Sequence, residues 1–191
     1  MENLTFQLDL IVNAIQQNLW FMLGIILVFC VIHLINQLVG KRLNWFGLYP
    51  RSLHGLFGII FCPFLHANFN HLFFNLIPFY ILANFILVQG RQTFYCVTAT
   101  IVLLSGLTTW LIGRRAIHIG LSGVVMGYWG YLLMNVYHQG TLLAIMLGVV
   151  CIYYFGALLF ELIPTEFNKS WESHIFGFLS GLAAVYVCPM F

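Results

Sequence analysis

Long apolar runs, separated by short polar clusters, organise this chain. The run over 19–39 ends at Lys41, Arg42 and Asn44-Trp45-Phe46-Gly47, where a Trp suits a membrane interface. Tyr49-Pro50-Arg51 reads as a turn. The run over 53–65 is short and is interrupted by Gly55, Gly58 and Pro63. As a helix it reaches only about 20 Å, against a hydrocarbon core of about 30 Å, so it reads as a partly embedded connector. Asn68 or Asn70 is placed to cap the next helix. Further runs cover 71–88 (with a kink expected at Pro78), 94–112, 120–137 and 142–163, the last stopped by Pro164. Gly90-Arg91-Gln92, Gly113-Arg114-Arg115 and His138-Gln139-Gly140 turn the chain between them. After a polar loop over 165–172, a final run starts near Ser173 and continues to the C-terminus. Spanning a bilayer takes about 20 apolar residues. Residues 1–17 carry Leu4, Leu8, Ile11, Val12 and Ile15 at loose helical spacing, which predicts a short interfacial helix. The pattern predicts an all-α polytopic membrane protein with six spanning helices. Residues 1–18 would form an N-terminal interfacial segment and 19–191 one transmembrane domain.

Composition supports a lipid environment. The chain is 62% hydrophobic and 6% charged, where soluble domains average about 45–50% and about 25%. Too few charges remain to cover a water-facing surface. The net charge of +2 and the lack of a basic cluster speak against a nucleic-acid partner. Met1-Glu2-Asn3 has no positive n-region and the 19–39 run is too long for a signal h-region, so that run reads as a retained span. Cys30, Cys62, Cys96, Cys151 and Cys188 are scattered without metal-ligand or redox-motif spacing, and read as reduced, buried, small hydrophobes. Asp9 is the single aspartate, which excludes an intramembrane aspartyl protease needing two. The His-Glu-x-x-His pattern of one zinc protease class is also missing.

Three groups of residues carry candidate chemistry. Gly120-Leu121-Ser122-Gly123 opens the 120–137 run, and a hydroxyl there is a candidate nucleophile beside backbone donors. His71 and Asn75, four apart, share a helix face, with His66 just outside that helix. Intramembrane polar groups mark either a functional cavity or hydrogen-bonded helix glue, and both readings stay open here. A metal on His66 and His71 is disfavoured, because their spacing puts them off one face and no Cys or carboxylate joins them. On the last run His174, Gly177, Gly181 and Ala184 form one stripe; Gly120, Gly123, Gly127 and Gly130 form another. Facing stripes of small residues allow backbone contact between two helices. Spans four and six both start on one side, so Ser122 and His174 would meet near one membrane face. The pair is then either a nucleophile and its base or an incidental part of a glycine-packed interface. Glu172 points to another helical face than His174 and Asp9 is remote, so the chemistry expected is a Ser–His dyad. The oxyanion would form near the Ser122 N–H, with His71 or Asn75 as side-chain donors.

Taken in order, His66-x4-His71-x3-Asn75, Gly120-Leu121-Ser122-Gly123 and His174-x2-Gly177-x3-Gly181 resemble the motifs of the rhomboid family of intramembrane serine proteases. The resemblance covers about 19–191. It implies a six-transmembrane-helix rhomboid-like bundle in a bacterial inner membrane, with Ser122 as nucleophile and His174 as general base. It further implies His71 and Asn75 in the oxyanion site with Ser122, His66 in a structural hydrogen bond nearby, transmembrane segments of other proteins as substrates, and no cofactor or metal. Two positions depart from the family pattern. Met126 stands where some rhomboids place a Tyr against the catalytic His, and Trp45 and Arg51 are not adjacent as in the Trp-Arg pair of many relatives. An inactive rhomboid-like protein that binds membrane helices is the alternative within the family. A small transporter is the alternative outside it, but its repeated halves are not found. Lys41, Arg42, Arg51, Arg114, Arg115 and Lys169 fall on one side of a six-span layout and Arg91 on the other. The positive-inside rule makes the first side cytoplasmic. The family pattern makes it the outer side.

Overall fold

The computed structural model describes residues 2–158 and 171–188. They fold into a helical bundle: α1 (Glu2–Leu38), α2 (Leu53–Phe61), α3 (Phe69–Leu87), α4 (Arg91–Ile112), α5 (Ser122–Gln139), α6 (Leu142–Phe155) and α7 (Trp171–Val187). An isolated antiparallel bridge between Leu48 and His118 is the β-type pairing among the described residues. Three helices are long and apolar enough to cross a membrane by themselves, within Leu4–Leu38, Phe69–Leu87 and Arg91–Ile112. The segment Leu142–Leu158 is apolar but shorter.

Several element boundaries differ from those expected. The interfacial segment and the first span are one continuous 37-residue helix, α1. Its polar residues near 13–18 are compatible with a helix, and no proline interrupts them. At about 1.5 Å per residue it extends about 55 Å. The connector forms α2, capped by Ser52, whose side chain accepts from Gly55 N–H, and closes in a 3₁₀ turn at Cys62–Phe64. Asn68 caps α3, its side chain accepting from His71 N–H. Helix α4 starts before the predicted 94. Helix α6 passes into a 3₁₀ turn over 156–158, and the expected continuation to 163, the stop at Pro164 and Lys169 lie outside the described residues. Cys96 on α4 and Cys188 beyond α7 form a disulfide across a sequence separation of 92. This corrects the reading of all five cysteines as reduced; Cys30, Cys62 and Cys151 remain free.

Helix α5 is the buried centre, with Met126, Tyr128, Trp129 and Tyr131 almost wholly enclosed. It packs most closely on α7. A Cβ added to Gly177 would run into the Gly123 carbonyl, and one on Gly181 into the Gly127 carbonyl. The stripe of α5 therefore starts at Gly123. Gly120 lies ahead of the helix at φ +125°, a conformation open to glycine, and is not part of that stripe. Lys41, Arg42, Arg51, Arg114 and Arg115 flank the end of the bundle at which α5 begins, since Arg51 bonds Trp110 and Leu111 near the end of α4. Arg91 opens α4 at the other end, where its Nε donates to Asn18 at 3.0 Å.

Candidate active site

Ser122 is the first residue of α5. An opening residue's N–H has no partner within its helix, so Ser122 presents a backbone donor beside its hydroxyl. The glycine contacts between α5 and α7 bring the first turn of α7 alongside. Ser122 Oγ and His174 Nε2 lie 2.8 Å apart. For the hydroxyl to donate, the imidazole carries its proton on Nδ1. The structure thus joins two residues 52 positions apart in sequence.

His71 faces the same place from α3. A Cβ on Gly120 would lie 2.9 Å from His71 Nε2 and 3.8 Å from Ser122 Oγ, so the absent side chain makes room for the ring. Ala67 N–H makes a long 3.5 Å contact to His71 Nδ1, which leaves Nε2 to carry the ring proton. Asn75, one turn on, donates one amide N–H to the His71 carbonyl at 2.8 Å and has a second to offer. His71, Asn75, Ser122 and His174 line one open cavity of about 700 Å³ together with Met126 and Leu158. The geometry can hold a serine hydroxyl, an imidazole acceptor and several N–H donors around one reacting carbonyl.

His66 acts on the backbone. Its Nε2 accepts from Leu121 N–H at 3.3 Å, and its ring packs edge-on to His71 with centroids 5.0 Å apart. An acceptor Nε2 requires a neutral ring. Burial first, then the neighbouring His71, hold this imidazole down to about 3, against the opposing Phe64 carbonyl. His118, in the loop between α4 and α5, is also pushed below its ordinary range by burial, with the Arg114 carbonyl bond and Glu172 opposing. In the unfolded chain both rings titrate near ~6.5. Between that value and the lower folded one, the unfolded state binds more protons, so stability falls as pH falls. The expected result is a lower melting temperature in micelles at about pH 5 than at about pH 7.5, with a smaller difference in His66→Gln. Equal melting temperatures for the wild type would contradict the neutral buried rings.

His118 escaped the sequence analysis, as did the pairing of Glu172 with Arg114 at 3.2 Å. A histidine in a loop carries no spacing signal. The Leu48–His118 bridge fixes its backbone, the Arg114 carbonyl and the Ser173 hydroxyl hold its ring, and His118 lines a small cavity together with Ser122. Trp45 stacks on His54 (centroids 5.3 Å apart) and Arg51 donates to the Leu111 carbonyl, so neither reaches the cavity. Gly123 and Gly177 lie at the α5–α7 contact nearest the serine, Gly181 one turn deeper.

The family model described as Rhomboid domain matches residues 53–191. The chain is similar to uncharacterized proteins of Mycobacterium bovis and Mycobacterium tuberculosis, each 36% identical over 166 residues, covering 82% of this chain and 69% of the relative. It is also similar to an uncharacterized protein of Mycobacterium leprae, 32% identical over 168 residues, covering 82% of this chain and 66% of that one.

Proposed function

The chain belongs to the rhomboid family of integral, polytopic, all-α membrane proteins, and from that premise we propose that it is an intramembrane serine endopeptidase acting on transmembrane segments of other proteins. The observation that carries the reading is the 2.8 Å approach of Ser122 Oγ to His174 Nε2 in the wall of a cavity shared with His71 and Asn75. Ser122 Oγ attacks the scissile carbonyl carbon as its proton passes to His174 Nε2. The tetrahedral oxyanion receives hydrogen bonds from the Ser122 N–H, His71 Nε2 and the free amide N–H of Asn75. Collapse expels the amine, which takes the proton from His174 and leaves an acyl ester on Ser122. Water then attacks the ester and gives a proton to His174; collapse breaks the ester bond, releases the new carboxyl end and returns that proton from His174 to Ser122 Oγ. His66, Gly120, Gly123, Gly177 and Gly181 support the site without touching substrate. Residues 19–191 make up the peptidase domain, with 1–18 as its N-terminal segment, and the membrane is a bacterial inner membrane.

The test is cleavage of a reporter protein with one transmembrane segment by the reconstituted full chain, with modification of Ser122 by a fluorophosphonate. A folded protein that does neither is the inactive helix-binding member of the family instead. Asn75→Ala refines the reading. Loss of one oxyanion donor typically lowers kcat on the order of 10²–10³. Here two donors remain, so a loss at or below the lower end is expected, with KM little changed. Normal kcat with a large fall in melting temperature would leave Asn75 as helix glue, through its bond to the His71 carbonyl.

A further inference from the structure

On the side of Ser122 away from the large cavity, a buried polar cluster ties the loop ahead of α5 to the first turn of α7. Glu172, two residues before His174, is 5% exposed. Its Oε1 stands 3.2 Å from Arg114 Nε, in the loop that leads to Ser122. Arg114 is held through its backbone as well, because its carbonyl accepts from His118 Nε2 at 3.1 Å. His118 Nδ1 accepts a long 3.4 Å bond from the hydroxyl of Ser173, the residue between Glu172 and His174. One neutral tautomer with the proton on Nε2 satisfies both ring contacts. The His118 backbone pairs with Leu48 in both directions, at 2.8 and 3.0 Å, which anchors the loop to the chain before α2.

We propose that Glu172 and His118 are positioning residues that fix the register of α7 against α5, and thereby the Ser122–His174 geometry; this rests on reading that pair as nucleophile and base. The glycine faces of α5 and α7 set how closely the helices approach, but glycines present few knobs to stop one helix sliding along the other. Trp129 and Phe178, with ring centroids 5.4 Å apart, meet midway along the pair, and at the end that carries Ser122 and His174 the polar cluster is left to hold the register. A carboxylate removed from water keeps its charge only beside a partner, so Glu172 cannot leave Arg114 without a cost in free energy. As an acidic group in the first turn it is also favoured by the helix dipole. It is thus bound to α7 on one side and to the serine loop on the other. Neither Glu172 nor His118 lines the large cavity, so their effect on substrate binding is expected to be small.

The experiment measures the second-order rate of fluorophosphonate modification, with kcat and KM for the transmembrane reporter, per folded full-length protein. Glu172→Gln and His118→Ala should each lower the modification rate and kcat by roughly 10- to 100-fold, as a misplacement near 1 Å does, with KM unchanged. His118→Gln, whose amide both donates and accepts, should recover most of the loss. Should His118→Ala fail to fold, Ser173→Ala removes a single hydroxyl and should show a smaller loss in the same readouts. Wild-type rates in the folded fraction of these variants, or a change confined to KM, would overturn the positioning role while the protease reading stands. A folded wild type inert to the probe would overturn both.

Discussion

Ser122→Ala is expected to yield a folded bundle that neither cleaves the reporter nor reacts with a fluorophosphonate. Removing the nucleophile of a serine protease costs on the order of 10⁶ in kcat, because the base has nothing left to activate. The price in stability should be modest. The hydroxyl is half-buried and its one described side-chain bond is to His174; a bond of this kind contributes about 1 kcal/mol. Melting temperature and reporter turnover measured on the same preparation test both halves. A variant cleaving at the wild-type rate would place the chemistry elsewhere. A variant that fails to fold would make Ser122 a structural residue first.

Gly181→Ala and Gly177→Ala are expected to damage stability and turnover together. The methyl group would meet the Gly127 carbonyl in one case and the Gly123 carbonyl in the other. Both obstacles are backbone of a helix, which cannot swing aside as the end of a side chain can. Overpacking in a tight interior costs about 1–3 kcal/mol, and an immovable obstacle puts these positions at the upper end. The strain is relieved by parting α7 from α5, which draws His174 away from Ser122. Turnover per folded molecule should therefore fall as well. Gly24→Ala is the control: nothing lies within 4 Å of an added Cβ there, and inside a helix alanine is favoured over glycine by about 1 kcal/mol. Melting curves and probe kinetics for the three variants decide the matter. A Gly181→Ala protein that melts and reacts like wild type would mean that the two helices do not touch as described.

What was legible in the sequence depended on periodicity. His174, Gly177 and Gly181 recur at three and four residues, so their common helix face could be read directly, and their meeting with Gly123 and Gly127 followed from the matching stripe on α5. His71 and Asn75 were legible as one face for the same reason, and His66 as a neighbour outside the helix. Gly120 was not, because a glycine heading an apolar run looks the same whether it opens the helix or turns the chain into it at φ +125°. The unbroken α1 was hidden by a change in composition near residue 18 that does not alter backbone preference. Cys96 and Cys188 could not be paired from spacing, since only the packing of α4 on α7 brings their Cα atoms to 5.7 Å. His118 and the Arg114–Glu172 pair were invisible because they join a loop to the first turn of a distant helix rather than two faces of helices with readable periodicity.

The backbone contact between α5 and α7 bears on which parts of the molecule open spontaneously. Opening free energies vary across a fold, and segments with dense buried contacts separate only with the whole. Ser122 and His174 both sit in the first turns of the closest-packed helix pair, whose amides beyond those turns should exchange last with heavy water. The exposed N-terminal part of α1 belongs to the opposite extreme, with Leu4, Phe6 and Leu8 all exposed. Motion that admits a substrate can then be borrowed from the outer helices, on their own timescale, without loosening the two residues that would perform the cut.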